Sequence, residues 1–458
     1  MTALLWAPRA WIGGRWQEAV LLHAGADGHW AEVRTGTPAP PQSTVLPGPV
    51  LPGLVDAHSH AFQRAFAGLA ERRSGEHDDF WSWRDRMYGV ALRITPAQLR
   101  AVAAQLYGEL LCGGYTQVCE FHYLHHDEDG APYRDPLAMS RALADAAAGT
   151  GIGLTLLPVL YQRAGFTQPQ LRPDQRRFAT DTRGVLALRD GVRAWQLPRV
   201  SAGIAIHSLR AAAPASIREL VQGLDGDAGP IHLHIAEQTA EVDDCLAATG
   251  ARPIEWLARE LPLDRRWQLV HATHALPEEI DAVAASGAGV VLCPATEANL
   301  GDGLADLPRW LAAGVPLALG SDSNVTRSWA EELRWLDYGQ RLLHRQRNVA
   351  ALSSAHEGAT AARLFERVLA GSGATAGLPA WGLQAGARAD LLVLDTRAPG
   401  LLGVPPSHTL DALVFATDAP ALCEVWVSGR RVVAGGAPVD AAAIAAAFES
   451  AMAELWPG

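Results

Sequence analysis

Two histidines stand two residues apart in D-A-H-S-H, His58 and His60, at the end of an apolar run. In a strand, side chains at i and i+2 share a face, so both imidazoles can address one point. Two imidazole nitrogens aimed at one point are the beginning of a metal site. The pair alone is a weak signal, but His234 in HLHIAE and Asp322 in LGSDS extend it. Three imidazole nitrogens and one carboxylate oxygen suit Zn²⁺ best, with Fe²⁺ or Mn²⁺ also compatible. One such ion lowers the pKa of a bound water toward about 7, which is the chemistry of hydrolysis. His232, two residues before His234, competes with it as a ligand.

The elements that must hold these residues are legible as eight short apolar runs separated by helical stretches rich in Ala, Leu and Arg. They are LPGLVDAHSH, YTQVCEFHYL, GIGLTLLPVLY, SAGIAIHS, PIHLHIAE, WQLVHATH, GAGVVLCPATE and VPLALGSDS. Repeated βα units of this number predict an α/β fold, a (β/α)8 TIM barrel, rather than an open doubly wound sheet. No GxGxxG follows the first run, which weakens a dinucleotide reading. The runs end in polar groups, among them His122, Tyr123, Tyr161, His207, Glu237, His271 and Glu297. In a barrel those strand ends converge on one face. Residues 1–50 carry strand-like pieces, and strands return in ADLLVLD, ALVFA and EVWVSGRRVVAGG. They predict a small discontinuous β-sandwich built from both termini, residues 1–50 and 373–458, around a barrel over 51–372. The stretch DAAAIAAAFESAMAEL closes the chain as a helix.

Composition bounds the partners. The chain has 458 residues, 49% hydrophobic and 19% charged, and a net charge of -11. That balance disfavours nucleic acid and anionic membrane as partners, since both select clustered cations. No uncharged apolar run reaches the length of a membrane span, and MTALLWAPRAW lacks the basic segment and apolar core of a secretory signal. The expectation is a cytoplasmic enzyme. Five scattered cysteines without a CxxC suggest neither a disulfide framework nor a thiolate metal site. The chain contains no lysine, which excludes a lysine Schiff base, a phosphate-loop lysine and a carbamylated-lysine metal bridge.

VDAHSH, HLHIAE, LVHATH and LGSDS, in this order on strands one, five, six and eight, resemble the amidohydrolase superfamily, in particular its mononuclear deaminase branch. The resemblance implies that His58, His60, His234 and Asp322 hold one metal ion. Only His234 stands in the family's H-x-x-E spacing, with Glu237, which favours it over His232. The resemblance further implies that His271 orients or deprotonates a water, that Asp322 shares its proton, and that Glu237 passes a proton to the leaving nitrogen. It also implies a homodimer. Without a lysine to bridge two metals, a dihydropyrimidinase-like hydrolase is disfavoured.

Five further patches resemble the narrower formimidoylglutamate deiminase family of histidine degradation: HSHAFQRAFAGLAE, FWSWRDRMY, EFHYLHH, IAIHSLRA and CPATEANLGDG. That family's substrate, N-formimino-L-glutamate, carries two carboxylates and a formamidine carbon. Its pocket needs fork-shaped cations for the acid groups. Arg84, Arg210, Tyr123, Gln63 and His207 are the candidate donors. The implied reaction is attack of a metal-bound hydroxide on the formimino carbon, giving N-formyl-L-glutamate and ammonia. The stretch HDDFWSWRDRMY, residues 77–88, reads as a long loop after the first strand that holds Arg84 toward a carboxylate, with Arg86 its nearest competitor. Two other readings remain at this point: a deaminase of a purine-type or triazine-type ring, and a non-catalytic scaffold with the same fold.

Overall fold

The computed structural model describes residues 2–73, 80–353 and 358–457. Eight parallel strands form the barrel: β1 Leu54–Ser59, β2 Tyr115–His122, β3 Gly153–Leu160, β4 in two pieces (Val200–Ala202 and Ile204–Ile206), β5 Ile231–Ile235, β6 Trp267–His271, β7 Gly289–Leu292 and β8 Leu317–Leu319. The barrel closes because β8 pairs with β1, Leu319 opposite Asp56, and β4 pairs with both β3 and β5. Strands β1, β2, β3 and β5 to β8 are buried along their whole length. Parallel strands covered on both faces favour largely apolar runs, and that is why these eight are visible in the sequence. Helices cover the outside. The helix Pro96–Cys112 starts at Thr95, whose side chain accepts from the Gln98 backbone N–H at 3.3 Å while the Gln98 side chain accepts from the Thr95 N–H at 3.0 Å. This reciprocal cap satisfies two backbone donors that the helix itself leaves unpaired.

Both termini contribute to one mixed nine-stranded sheet with a core of its own, including Leu22, Trp30, Val50, Leu391 and Val393. The two ends of the chain meet where Leu391–Leu394 runs antiparallel to Val50–Leu51. Buried Arg388 ties this sheet to the barrel, pairing with Asp390 at 2.6 Å and donating to Gln117 Oε1 at 2.6 Å and the Thr116 carbonyl at 2.9 Å. The closing helix is Ala441–Leu455, and it docks on the barrel's first helical layer. Arg64 lies over the Phe448 ring at 5.0 Å, and Trp456 just beyond the helix donates to the Ala65 carbonyl at 2.9 Å. Among the described residues no helix is long and apolar enough to cross a membrane.

Two expectations about local structure are overturned. ALVFA is not a strand but the end of the helix Thr409–Phe415, where Leu410, Leu413 and Val414 are buried at helical spacing. FWSWRDRMY is not a loop but most of the helix Phe80–Ala91; His77, Asp78 and Asp79 lie outside the described residues. Phe80, Trp83, Arg84, Met87 and Tyr88, at i, i+3, i+4, i+7 and i+8, form one face of that helix, and all five line one cavity.

Candidate active site

The C-terminal ends of the barrel strands bring His58, His60, His234 and Asp322 together. Nε2 of His58 lies 2.9 Å from Nε2 of His234, and Asp322 Oδ1 lies 3.4 Å from Nε2 of both His58 and His60. Gly320 makes this approach possible, because a Cβ there would stand 2.7 Å from the Cβ of His58. Asp322 has φ of 48° and His271 of 67°, left-handed conformations that non-glycine residues adopt at some energetic cost. The surrounding bonds hold that backbone in place: Asp322 N–H donates to the His58 carbonyl at 2.9 Å, and His60 N–H to the Asp322 carbonyl at 3.2 Å.

The second nitrogens of two rings fix their tautomers. His60 Nδ1 is 3.0 Å from the Phe121 carbonyl and His234 Nδ1 is 3.0 Å from the His207 carbonyl. A carbonyl only accepts, so each Nδ1 carries the proton and each Nε2 lone pair faces inward. Burial pushes the His58 imidazole down to about 3 and depresses His60 and His234 as well. Burial alone raises the Asp322 carboxyl, but the hydrogen bond from His58 and the nearby His271 and His60 rings hold it below the usual carboxylate range. Inward lone pairs on neutral imidazoles beside an ionised carboxylate repel one another unless a cation lies among them. The donor set therefore fits a divalent ion. His232 points elsewhere, its Nε2 held by the Thr375 carbonyl at 2.8 Å.

His271 adjoins this cluster. Its Nε2 lies 3.8 Å from both Glu237 Oε1 and Asp322 Oδ2, while its Nδ1 meets Glu297 Oε1 at 3.3 Å. Burial disfavours a charge on His271, but Glu237, Glu297 and Asp322 outweigh it and raise the imidazole to about 10. Burial raises the Glu237 carboxyl to about 7, helped by repulsion from Asp322 and Glu241 and opposed by His271 and Arg210. A carboxyl poised there can hold or release a proton at neutral pH. Glu297 has no role assigned from the sequence. Its place in the helix Pro294–Leu300, just after β7, is the one available signal, and its partner lies 26 positions away.

A cavity opens over these groups. Arg84, Arg210, Tyr123, Gln63 and His207 all line it, together with His60, His234, Glu237, His271 and Asp322. Arg84 stacks over Trp81 at 4.5 Å and Arg210 approaches the same ring at 5.6 Å, so one indole spaces two guanidinium groups. Nε of Arg84 and both Nε and Nη1 of Arg210 are buried and lack a hydrogen-bond partner among the described residues. Buried unpaired donors of this kind call for an anionic acceptor. Of the two arginines of the segment only Arg84 lines this cavity; Arg86 donates to the Ala70 carbonyl. Gln63 Nε2 donates to the Tyr123 hydroxyl at 3.3 Å.

The chain matches the model of the amidohydrolase family over residues 50–432. It is 44% identical to a formimidoylglutamate deiminase of Pseudomonas aeruginosa, over 98% of this chain and 99% of that one. A 5-methylthioadenosine/S-adenosylhomocysteine deaminase of Natronomonas pharaonis is 30% identical, over 89% of this chain and 86% of the other. Among solved structures, an amidohydrolase from Brucella melitensis superposes with a TM-score of 0.93 at 42% identity, covering 99% of both chains. An adenosine deaminase from Xanthomonas campestris with bound zinc shares the fold, with a TM-score of 0.81 at 22% identity over 99% of this chain and 98% of that one.

Proposed function

The chain belongs to the amidohydrolase family, and from that footing we propose that it is a formimidoylglutamate deiminase. It hydrolyses the carbon–nitrogen bond of N-formimino-L-glutamate, a linear amidine, to give N-formyl-L-glutamate and ammonia. One observation carries the substrate: two arginines, Arg210 buried and Arg84 half-buried, share a cavity with the histidine–aspartate cluster and each has buried N–H donors without a partner among the described residues. A neutral purine or triazine ring would leave those charges without an acceptor, at a cost that a dicarboxylate removes.

His58, His60, His234 and Asp322 are assigned as ligands of one divalent ion, with Zn²⁺ the ion proposed and Fe²⁺ or Mn²⁺ suiting the same donors. The ion supplies the Lewis acidity that makes a water an effective nucleophile near neutral pH. The chain's own residues do the rest. His271, held by Glu297, orients the attacking water. Asp322 accepts the proton that water loses. Glu237 delivers a proton to the nitrogen that departs as ammonia, so the poor leaving group leaves neutral. Arg84 and Arg210 hold carboxylate, while Gln63, Tyr123 and His207 complete the pocket and fix the amidine over the cluster. The same reading places the enzyme in the cytoplasm, in histidine degradation, as a homodimer without nucleic-acid or membrane partners.

The test is ammonia release from N-formimino-L-glutamate, guanine and S-adenosylhomocysteine, with metal analysis of the same preparation. Turnover of the first alone is the expected result. Turnover of either ring compound in preference to it would replace this reading with a ring deaminase, and no turnover of any with metal bound would support the scaffold reading.

A further inference from the structure

Gln175 is fully buried and sits in the short 3-10 helix Pro173–Phe178. Its Oε1 accepts from the Arg172 backbone N–H at 3.0 Å, which settles the orientation of the amide. The Nε2 group therefore faces the other way, and it donates to two phenol oxygens, Tyr88 at 3.1 Å and Tyr161 at 3.0 Å. Both tyrosines line the active-site cavity with Arg84 and Arg210. Arg84 also lies over the Tyr88 ring at 5.7 Å, and the Tyr161 ring stands 4.4 Å from that of His207.

A phenol oxygen that accepts an N–H still has one proton to donate. Both phenol oxygens lie within 3.1 Å of the same nitrogen, so one proton can be spent between them. The other has no acceptor among the described residues, and the cavity is the open direction. Resting on the dicarboxylate reading above, the geometry points to Tyr88 and Tyr161 as a hydroxyl pair that donates a hydrogen bond to the same substrate carboxylate as Arg84 and Arg210. Gln175 is the positioning residue that turns both phenols toward it. The guanidinium pair supplies the charge, and the oriented hydroxyl makes the site selective for an acceptor at one position, as hydrogen-bonding sites generally discriminate more sharply than apolar ones.

The experiment compares wild type with Y88F, Y161F and Q175E on three substrates: N-formimino-L-glutamate and its two monoamides, each lacking one carboxylate. Phenylalanine keeps the ring packing and removes only the hydroxyl. Glutamate at 175 keeps the shape but turns a donor into an acceptor, drawing the phenol protons away from the substrate. The expected result is a KM for N-formimino-L-glutamate raised at least about tenfold in all three variants with kcat little changed, as for a lost hydrogen bond to a charged group. The effect should shrink to within about twofold on the monoamide that lacks the carboxylate in question. Unchanged KM in both phenylalanine variants, or an equal loss on all three substrates, overturns the inference while leaving the substrate reading intact. A wild type that releases no ammonia from N-formimino-L-glutamate removes the substrate reading and this inference with it.

Discussion

Nε2 of His58 and Nε2 of His234 face each other at 2.9 Å, and the hydrogen bond from His234 Nδ1 to the His207 carbonyl leaves the inward His234 nitrogen a lone pair. With a lone pair on both nitrogens, as two ligands of one ion must have, such a contact is unfavourable by itself. The fold therefore brings the strands together at the expense of local repulsion, which a cation relieves. Treatment with a chelator should abolish ammonia release and lower the Tm, and added Zn²⁺ should restore both, since an ion that binds only the folded state stabilises it by mass action. Calorimetry on the same samples checks the second half, and an unchanged Tm after verified metal loss would count against the assignment.

Glu237 is the proton donor to the departing nitrogen in the proposed mechanism, and its distance of 3.8 Å from His271 places it beside the cluster rather than at its centre. Glu237→Gln should keep its metal content and lower kcat by about 10²- to 10⁴-fold, the usual contribution of a general acid. Full turnover with metal bound would remove the role.

Arg84→Met and Arg210→Met each delete one guanidinium facing the cavity. Loss of a buried charge partner costs on the order of 2 to 5 kcal/mol, so kcat/KM for N-formimino-L-glutamate should fall at least about tenfold in each. Arg86→Met should change it much less, because Arg86 is engaged with the Ala70 carbonyl outside the cavity. Steady-state kinetics on the three variants decides the matter.

Glu120 gives a stability prediction that is independent of catalysis. It is buried on β2, accepting from the Ala61 N–H at 2.7 Å and the Tyr107 hydroxyl at 3.3 Å. Burial, with repulsion from Asp56, raises its carboxyl to about 8 against the bonds from Ala61 and Tyr107. Between an ordinary unfolded value near 4.5 and about 8, the folded chain keeps a proton that the unfolded chain has lost. Its contribution is thus fully present at acid pH and is lost as pH rises through that window, by up to about 1.4 kcal/mol per unit. Urea unfolding near pH 5 and near pH 8 should show a smaller pH dependence for Glu120→Gln than for wild type. Equal slopes would mean the carboxyl ionises without penalty.

The barrel is legible in the sequence because strands buried on both faces are rich in apolar residues, and the eight runs stand out on that ground even though some, such as β2 with Gln117 and Glu120, carry buried polar groups. The clustering of His58, His60, His234 and Asp322 is legible for a related reason, since strand ends of a barrel share one face. The helix Phe80–Ala91 is not, because its cavity face mixes Phe80, Trp83, Met87 and Tyr88 with Arg84, and a pocket wall has no need of the clean apolar stripe a core demands. ALVFA misleads because a five-residue apolar run fits strand and buried helix equally. Glu297 and Gln175 owe their places to partners remote in the chain, His271 and the pair Tyr88 and Tyr161, and no local pattern announces such contacts.

The wall that presents Arg84 and Tyr88 lies on a contiguous excursion of the chain between β1 and β2, whereas His234, Glu237, His271 and Asp322 are fixed at the mouths of other strands. Part of recognition is thereby carried on a piece physically separable from the hydrolytic groups, while Tyr123, Tyr161, His207 and Arg210 stay with the barrel. A descendant could acquire a different acyl or ring preference through exchange of that one excursion, keeping the reactive centre untouched, and a chimaera built at its borders is the laboratory form of the same event.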